Sequence, residues 1–424
     1  MAYPFSVIVT FDFSDGPVFG YPFTIGDPKN GILGVDVLAD QASQIVDISN
    51  QVSNIQIKGG YNLLQDQFEA GTANIRVLDP TGIWNPQNTA SPYYGKLLPL
   101  RKIRVAAPYG GITHYLFSGY VTAYNYTYPK DQNIGYVDIV AVDGFRLFNL
   151  ANVTTITGAT AGQDSGTRVN KILDQIQWPN GMREVATGGT ETTLQADPGT
   201  ARTALQALKM AEFSEQGAFY MDGEGDAVFK ARSYLMAKSG TNPTYFSNAG
   251  DGGIPYKNIV FAFDDKLIIN QANITNVGGA IQSVSNTNSI TTYFPHSFST
   301  TNVLTQTDTD ALNIARNYVA TRAFTTIRID AMTLDLSVLD AAGITAALGL
   351  DYFDTAKIKN VGQTTTTGGE STIEKTLQIV GMAYDITPNT FYTTYTTSEP
   401  IVGSFIIGSS IYGIIGDTNS VLAY

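Results

Sequence analysis

Val52-Ser-Asn-Ile-Gln-Ile-Lys58 and Ala73-Asn-Ile-Arg-Val-Leu78 decide the fold. In both segments apolar and polar side chains alternate, the pattern of a strand with one face buried and one wet. Asp79-Pro80 stops the second segment, because proline cannot donate to a sheet ladder. Working outward, Ser6-Val-Ile-Val-Thr-Phe-Asp-Phe13 is β-branched and aromatic. Ile103-Arg-Val-Ala-Ala107, Tyr115-Leu-Phe-Ser-Gly-Tyr-Val121 and Tyr136-Val-Asp-Ile-Val-Ala-Val142 continue the texture. Short strands separated by turn residues indicate a sandwich or barrel. Residues 1–155 therefore read as an N-terminal β-barrel-like domain.

The texture changes after the Gly- and Thr-rich stretch Thr154 to Gly166. Val169, Ile172, Leu173 and Ile176 fall at i, i+3, i+4 and i+7, one face of a helix that Pro179 ends. Asp197-Pro198 predicts the start of a second helix, with Asp as N-cap and Pro at its first position. Ala201, Ala204, Leu205 and Leu208 would form its apolar face. Gly217 to Ala231 places two apolar runs around a Gly-rich turn, a hairpin signal. Residues 156–240 thus form a small α+β module. Strand patterns return at Ile259-Val-Phe-Ala-Phe263, Ile268 to Ile274 and Ile327 to Leu334, with one helix capped by Asp308. Residues 241–397 read as a second β-barrel-like domain, with Thr364 to Glu370 as an exposed loop. Residues 398–424 read as an apolar C-terminal arm that packs on a neighbour. The fold class expected is mainly β, with barrel or sandwich domains and the small α+β module.

Composition bounds the function. The 424 residues are 43% hydrophobic but only 15% charged, below the usual quarter. Thr, Asn, Gln, Ser, Gly and Tyr fill the gap and suit sheet surfaces that meet other protein surfaces. There is no cysteine, which excludes disulfides, thiolate metal sites and a cysteine nucleophile. Two histidines, His114 and His296, leave little room for zinc or Ser–His chemistry. The formal net charge of −12 argues against a dedicated nucleic-acid binder. The N-terminus reads as a strand and not a signal peptide, and no apolar run is long enough to span a membrane.

Motifs that carry chemistry are scarce. No phosphate-binding glycine loop is present, since Gly95-Lys96 is followed by Leu97. Asp222-Gly-Glu-Gly-Asp226 begins like a calcium loop, but the sixth position is Ala227 and the twelfth Ser233. A hairpin turn accounts for the same residues. Glu212 with Glu215, and Asp264 with Asp265, are the carboxylate pairs a hydrolase would need, and both read as solvated surface charge. His114 near a hairpin start and His296 in a loop read as ordinary histidines. Tyr124, Tyr126 and Tyr128 alternate and would line one face of a strand, for a sugar or for a subunit partner. Subunit packing is the preferred reading. No catalytic, cofactor-binding or metal-binding residue is assigned, and no cofactor is expected.

Several segments together resemble the tail hub and minor tail proteins of long-tailed bacteriophages, a baseplate hub-like family. Gly59-Gly-Tyr-Asn-Leu-Leu-Gln-Asp-Gln-Phe-Glu-Ala-Gly-Thr-Ala-Asn-Ile-Arg-Val77 resembles their Asp-x-Phe-x-Ala-Gly-Thr-Ala core with its following strand. Asp79 to Asn88 is similar to their next turn, and Ser91 to Val105 to the strand pair beyond it. Phe117-Ser-Gly-Tyr-Val121 and Val142-Asp-Gly-Phe-Arg-Leu-Phe148 follow in the family's order. The likeness is dense over 53–232 and patchy after 250. The matched positions are turn and core residues, so no catalytic role is carried over. The resemblance implies a non-enzymatic virion protein of the tail tip, commonly a homotrimer with two tube-like barrels per subunit. Its ring would cap the tail tube, contact distal tail, tail tube, tape measure and tip or fibre proteins, and leave a channel for DNA passage. The rival readings are a distal tail ring protein, a carbohydrate-binding tail adhesin and a tail-associated hydrolase.

Overall fold

The computed structural model describes residues 5–19, 44–128, 134–187, 192–239, 242–364 and 370–400. The C-terminal arm beyond residue 400 and the centre of the Thr-rich loop lie outside the described residues. The first part of the chain carries β1 (Ile8–Asp12), β2 (Ile45–Asp47), β3 (Val52–Asn62), β4 (Gln67–Asp79), β5 (Lys102–Tyr109), β6 (Ile112–Thr127) and β7 (Gly135–Val142). The middle carries α1 (Phe145–Leu150), β8 (Asn152–Val153), β9 (Gln163–Asp164), α2 (Ser165–Gln175), β10 (Arg183–Val185), β11 (Thr193–Leu194) and β12 (Arg202–Thr203). It continues with α3 (Ala204–Glu215), β13 (Ala218–Met221), β14 (Ala227–Lys230) and α4 (Arg232–Ser239). The last part begins with β15 (Thr244–Ser247), β16 (Asn258–Ala262), β17 (Gln271–Asn276), β18 (Gln282–Ser285), α5 (Thr287–Tyr293), β19 (Ser297–Val303) and α6 (Asp308–Arg322). It ends with β20 (Arg328–Asp335), α7 (Ala341–Gly349), β21 (Thr355–Thr364), β22 (Glu370–Ile386) and β23 (Phe391–Ser398). The chain is mainly β, as its alternation predicts.

Strands from residues 1–155 and from residues 241–397 lie in one sheet. Its order is β16-β20-β23-β22-β3-β4-β7-β6-β5-β1-β2, with β21 on β22 and β15 on β21. Period-two alternation puts one face of each strand into a shared core. Ile75 and Ile139 from the first part pack in the same cluster as Ile329, Leu334, Ile379 and Tyr395 from the last. The join is the antiparallel pairing of β22 with β3, where Gly381 lies opposite Gly60 and Ala383 opposite Lys58. Both strands shift register there, between Lys58 and Gly60 and between Ile379 and Gly381. Gly60 has a φ of +154°, and a Cβ on it would stand 2.5 Å from the Gly381 Cα. Glycine permits both the backbone angle and the approach.

The middle part folds as the expected α+β module, but its helices begin elsewhere. Helix α3 starts at Ala204, not beside Pro198. Thr203 is its N-cap, in a capping box with Gln206. Asp197 instead accepts from the Gly199 N–H at 3.0 Å and pairs with Arg202, so Asp-Pro-Gly makes a local turn. Helix α6 likewise takes Thr307 as its cap, with Asp310 completing the box, and Asp308 is its first residue. In each case a threonine one position before the helix outcompetes the acid the sequence suggested. Helix α2 ends at Gln175, and Gln177, with φ +56°, turns the chain before Pro179 is reached. The β13–β14 hairpin forms as read. The segment around Ile268 to Ile274 does not join the main sheet. β17 pairs with β18 and β19 in a separate three-stranded sheet, which buries Ala272 and Ile274 against Ala311, Ala315 and Tyr318 of α6.

Gly60→Ala should cost about 1–3 kcal/mol by overpacking the join. Chemical unfolding of the variant against the parent checks this, with Gly82→Ala, at a positive-φ turn with open space around it, separating angle strain from the clash.

Candidate assembly surfaces

One of the two carboxylate pairs singled out for hydrolysis is not at the surface. Glu212 and Glu215 are both buried on α3, which corrects the expectation of solvated charge. Glu212 accepts from the Phe219 N–H at 2.8 Å and from Lys209 Nζ at 2.8 Å. Glu215 accepts from the Ser165 hydroxyl at 2.8 Å and from the backbone N–H groups of Thr192 and Arg232. Burial pushes both carboxyls up, opposed by these partners. They tie α3 to the hairpin, to α2 and to α4. Their even helical spacing hid this, because a buried carboxylate and an exposed one look alike until its donors are placed.

The other candidates have local duties too. Asp222 accepts from the Gly225 and Asp226 N–H groups at 2.9 and 2.8 Å and closes the hairpin turn. Asp264 pairs with Arg328 at 2.8 Å, which holds its carboxyl below the usual range, while Asp265 lies 3.9 Å from His296 Nε2. His114 lies on β6 and His296 just before β19. Burial lowers the His114 pKa. Tyr124 and Tyr126 stack, with ring centres 6.4 Å apart, and pack partly on the main core. The Tyr124 hydroxyl donates to the Leu98 carbonyl at 3.0 Å, and that of Tyr128 to Asp79 at 2.9 Å. Burial and the Asp79 carboxylate push the Tyr128 pKa up to about 12.

These tyrosines hold down the long 80–101 loop. Trp84 is fully buried in it, donating from Nε1 to Gln51 at 2.7 Å, and Asp79 accepts from the Trp84 N–H. Phe11, Phe13 and Tyr93 close round the indole, with Trp84–Tyr93 ring centres 4.9 Å apart. The loop thus buries one side and turns Tyr94, Leu98 and Leu100 outward. Exposed Ile45 on β2 lies across from Asp12 of β1, next to Phe13, which stacks on Tyr93. The result is an apolar rim at the β2 end of the strand path. At the other end, β16 pairs with β20 alone among the described named strands, and its Val260 is exposed. An open edge is a ready template for another chain. Leu98 and Leu100 were missed, because a leucine in a loop gives no sign of which way it faces.

Two further ionic contacts fix the frame. Lys102 is buried beside Asp12 at 3.3 Å and donates to Ser14 and to the Asp15 and Val18 carbonyls. Asp143 is buried where β7 meets α1. It accepts from the Gly71 N–H at 2.6 Å and the Phe145 N–H at 3.0 Å, and burial pushes its pKa up to about 7.

No family model and no curated protein sequence matches the chain. Solved structures do. A tail protein from Neisseria meningitidis MC58 aligns with a TM-score of 0.55 at 11% identity, covering 94% of this chain and 97% of that one. The 43 kDa tail protein of prophage MuSo2 from Shewanella oneidensis aligns with a TM-score of 0.53 at 13% identity, covering 84% and 96%. The chain therefore has the fold of these tail proteins. Among the described residues no helix is long and apolar enough to cross a membrane.

Asp143 makes stability fall with pH. Its folded pKa lies above the unfolded one, so its contribution is full below about pH 4 and is lost as pH rises through about 7. Between those limits the slope it adds is on the order of 1.4 kcal/mol per unit. Urea unfolding from pH 4 to 8 should show a shallower slope in Asp143→Asn than in the parent.

Proposed function

We propose that the chain is a non-enzymatic structural subunit of a phage tail, a hub at the tail tip. Subunits close into a ring, commonly of three, that caps the tail tube and contacts distal tail, tape measure and tip or fibre proteins. DNA transits the opening without specific binding. The observation that carries this reading is the extent of the likeness to tail proteins. It runs nearly end to end in both chains and so covers the whole arrangement of joined sheet and inserted module. A single barrel would carry little functional weight, since barrels host many functions.

Physical features support the same reading. Among the described residues the named strands β2 and β16 each pair with one neighbour, and unlike ends that meet head to tail close into a ring when the rotation allows. The β2 end adds an apolar rim suited to burial in a neighbour. An acidic chain lining a bore repels phosphate and keeps DNA moving. In this reading 1–155 and 241–397 are the two tube-like units, 156–240 is the module between them, and 398–424 is an arm.

Native mass spectrometry and electron microscopy of the purified chain should give a ring of three-fold symmetry. A six-fold ring would reassign the chain as a distal tail ring protein, and a stable monomer absent from virions would count against both. Leu98→Glu with Leu100→Glu should abolish the ring, while the monomer's unfolding free energy changes by no more than about 0.5 kcal/mol, as expected for exposed positions.

A further inference from the structure

A cleft of about 390 Å³ opens where the three parts of the chain meet. It is walled by β3, β4 and β6 of the first part, by the hairpin turn 222–224 of the module, and by residues 348–352 at and after the end of α7. Gly59 and Gly71 line it. A Cβ on Gly59 would stand 2.9 Å from the Tyr352 hydroxyl, and one on Gly71 would stand 2.8 Å from Asp143 Oδ2. Without side chains there, the hydroxyl and the carboxylate both come down close to the sheet. The hairpin turn is tied to the β6 wall. The Ser118 hydroxyl donates to the Gly223 carbonyl at 2.8 Å, and Arg104 donates to the Glu224 carbonyl at 2.9 Å. A ligand in the cleft would touch all three parts of the subunit.

Two hydroxyls in the cleft lack partners. Tyr220 is 4% exposed, yet among the described residues its hydroxyl makes no hydrogen bond, and neither does that of Tyr352. Burial, then the Asp351 and Asp222 carboxylates, push the Tyr220 pKa up, which places its hydroxyl near those two acids. A buried polar group without a partner is unfavourable, and a ligand that donates to it recovers the lost bond. The rings themselves are occupied. Tyr220 packs on Phe68 and Tyr352, with ring centres 4.9 and 5.1 Å apart, so the cleft offers oxygen atoms and not an open ring face for a sugar. Its charge is one-sided. Glu69, Asp143, Asp222, Glu224 and Asp351 line it, with Lys58 as the only lysine or arginine among the lining residues. Arg104 beside the turn offsets part of that charge, and burial lowers the His114 pKa, so His114 adds no full charge at pH 7.

The guest that fits is a cation. Among the described residues no three Asp, Glu or His side chains converge to hold one metal ion. The acceptors are spread out instead, which matches a flat cation with several N–H donors better than a point charge. We propose that the cleft receives a guanidinium group, the side chain of an arginine carried by a partner protein, which donates to the Tyr220 and Tyr352 hydroxyls and the Asp143 carboxylate. Asp222 and Asp351 supply the field that draws it in. The inference rests on the reading of the chain as an assembly subunit, since an arginine seated in a pocket is a recurrent anchor of protein interfaces.

The probe is acetyl-Gly-Arg-Gly-amide, titrated into the full chain at low salt and followed by ligand-detected NMR. The peptide should bind, with citrulline in place of its arginine abolishing the signal and lysine weakening it several-fold. Tyr220→Phe and Tyr352→Phe keep the rings, and each should weaken binding about tenfold, the loss of one hydrogen bond to a charged group. The unfolding free energy of both variants should stay that of the parent. Equal binding of the arginine and citrulline peptides, lysine bound as tightly as arginine, or unchanged affinity in both variants overturns the inference. Methylguanidine, the same group without a peptide, should bind more weakly than the peptide, and tighter binding overturns the protein origin of the guest. The titration needs no ring. A three-fold ring that binds no arginine peptide defeats this inference alone, and binding by a chain that stays monomeric defeats the assembly reading while the cleft's affinity for guanidinium stands.

Discussion

The architecture depends on one close approach of two backbones. β3 and β22 are more than three hundred residues apart in sequence, and their pairing is what makes one sheet of two β-rich regions. The crossing works because Gly60 and Gly381 face each other where both strands are bulged. Bulges add twist, and twist lets a long sheet curl round a shared core without splaying. Bulk on either residue would force the strands apart, and the cluster that spans both regions would lose its closed side.

Buried polar groups then lock the attached parts in place. Asp143 holds Gly71 of β4 and the start of α1 with one carboxylate, so the module is keyed to the sheet at its centre. Glu212 and Glu215 key the hairpin and the neighbouring helices to α3. Arg322 of α6 reaches Asp66 in the β3–β4 turn, which fastens the satellite sheet to the main one. Each is a charge withdrawn from water, unfavourable alone and tolerable only with its donors in register. Such contacts specify position more than they add stability.

Much of the fold was legible. Alternation located β3, β4 and β7, and the 3.6-residue pattern located α2. The Gly-rich turn located the β13–β14 hairpin. The failures share a cause. Thr203 and Thr307 took the caps assigned to Asp197 and Asp308, because capping is decided by which oxygen reaches the free N–H groups, a matter of ångströms. Glu212 and Glu215 passed as surface charge because their partners, Phe219, Ser165, Thr192 and Arg232, come from other elements. Leu98 and Leu100 passed as ordinary apolar residues because exposure is a property of the fold.

The sequence by itself determined that this is a mainly β protein with an inserted α+β module, without the thiols or histidine clusters that much chemistry needs. Local periodicity and composition suffice for that, since they act between residues close in the chain. Only the tertiary structure decided that the two β-rich regions share one sheet, which strands end its path, and that Glu212 and Glu215 are buried ties. Those outcomes depend on pairings across hundreds of residues, where no local pattern distinguishes one partner strand from another. They are settled by which packing brings glycine against glycine, and each buried charge against its donors, at the same time.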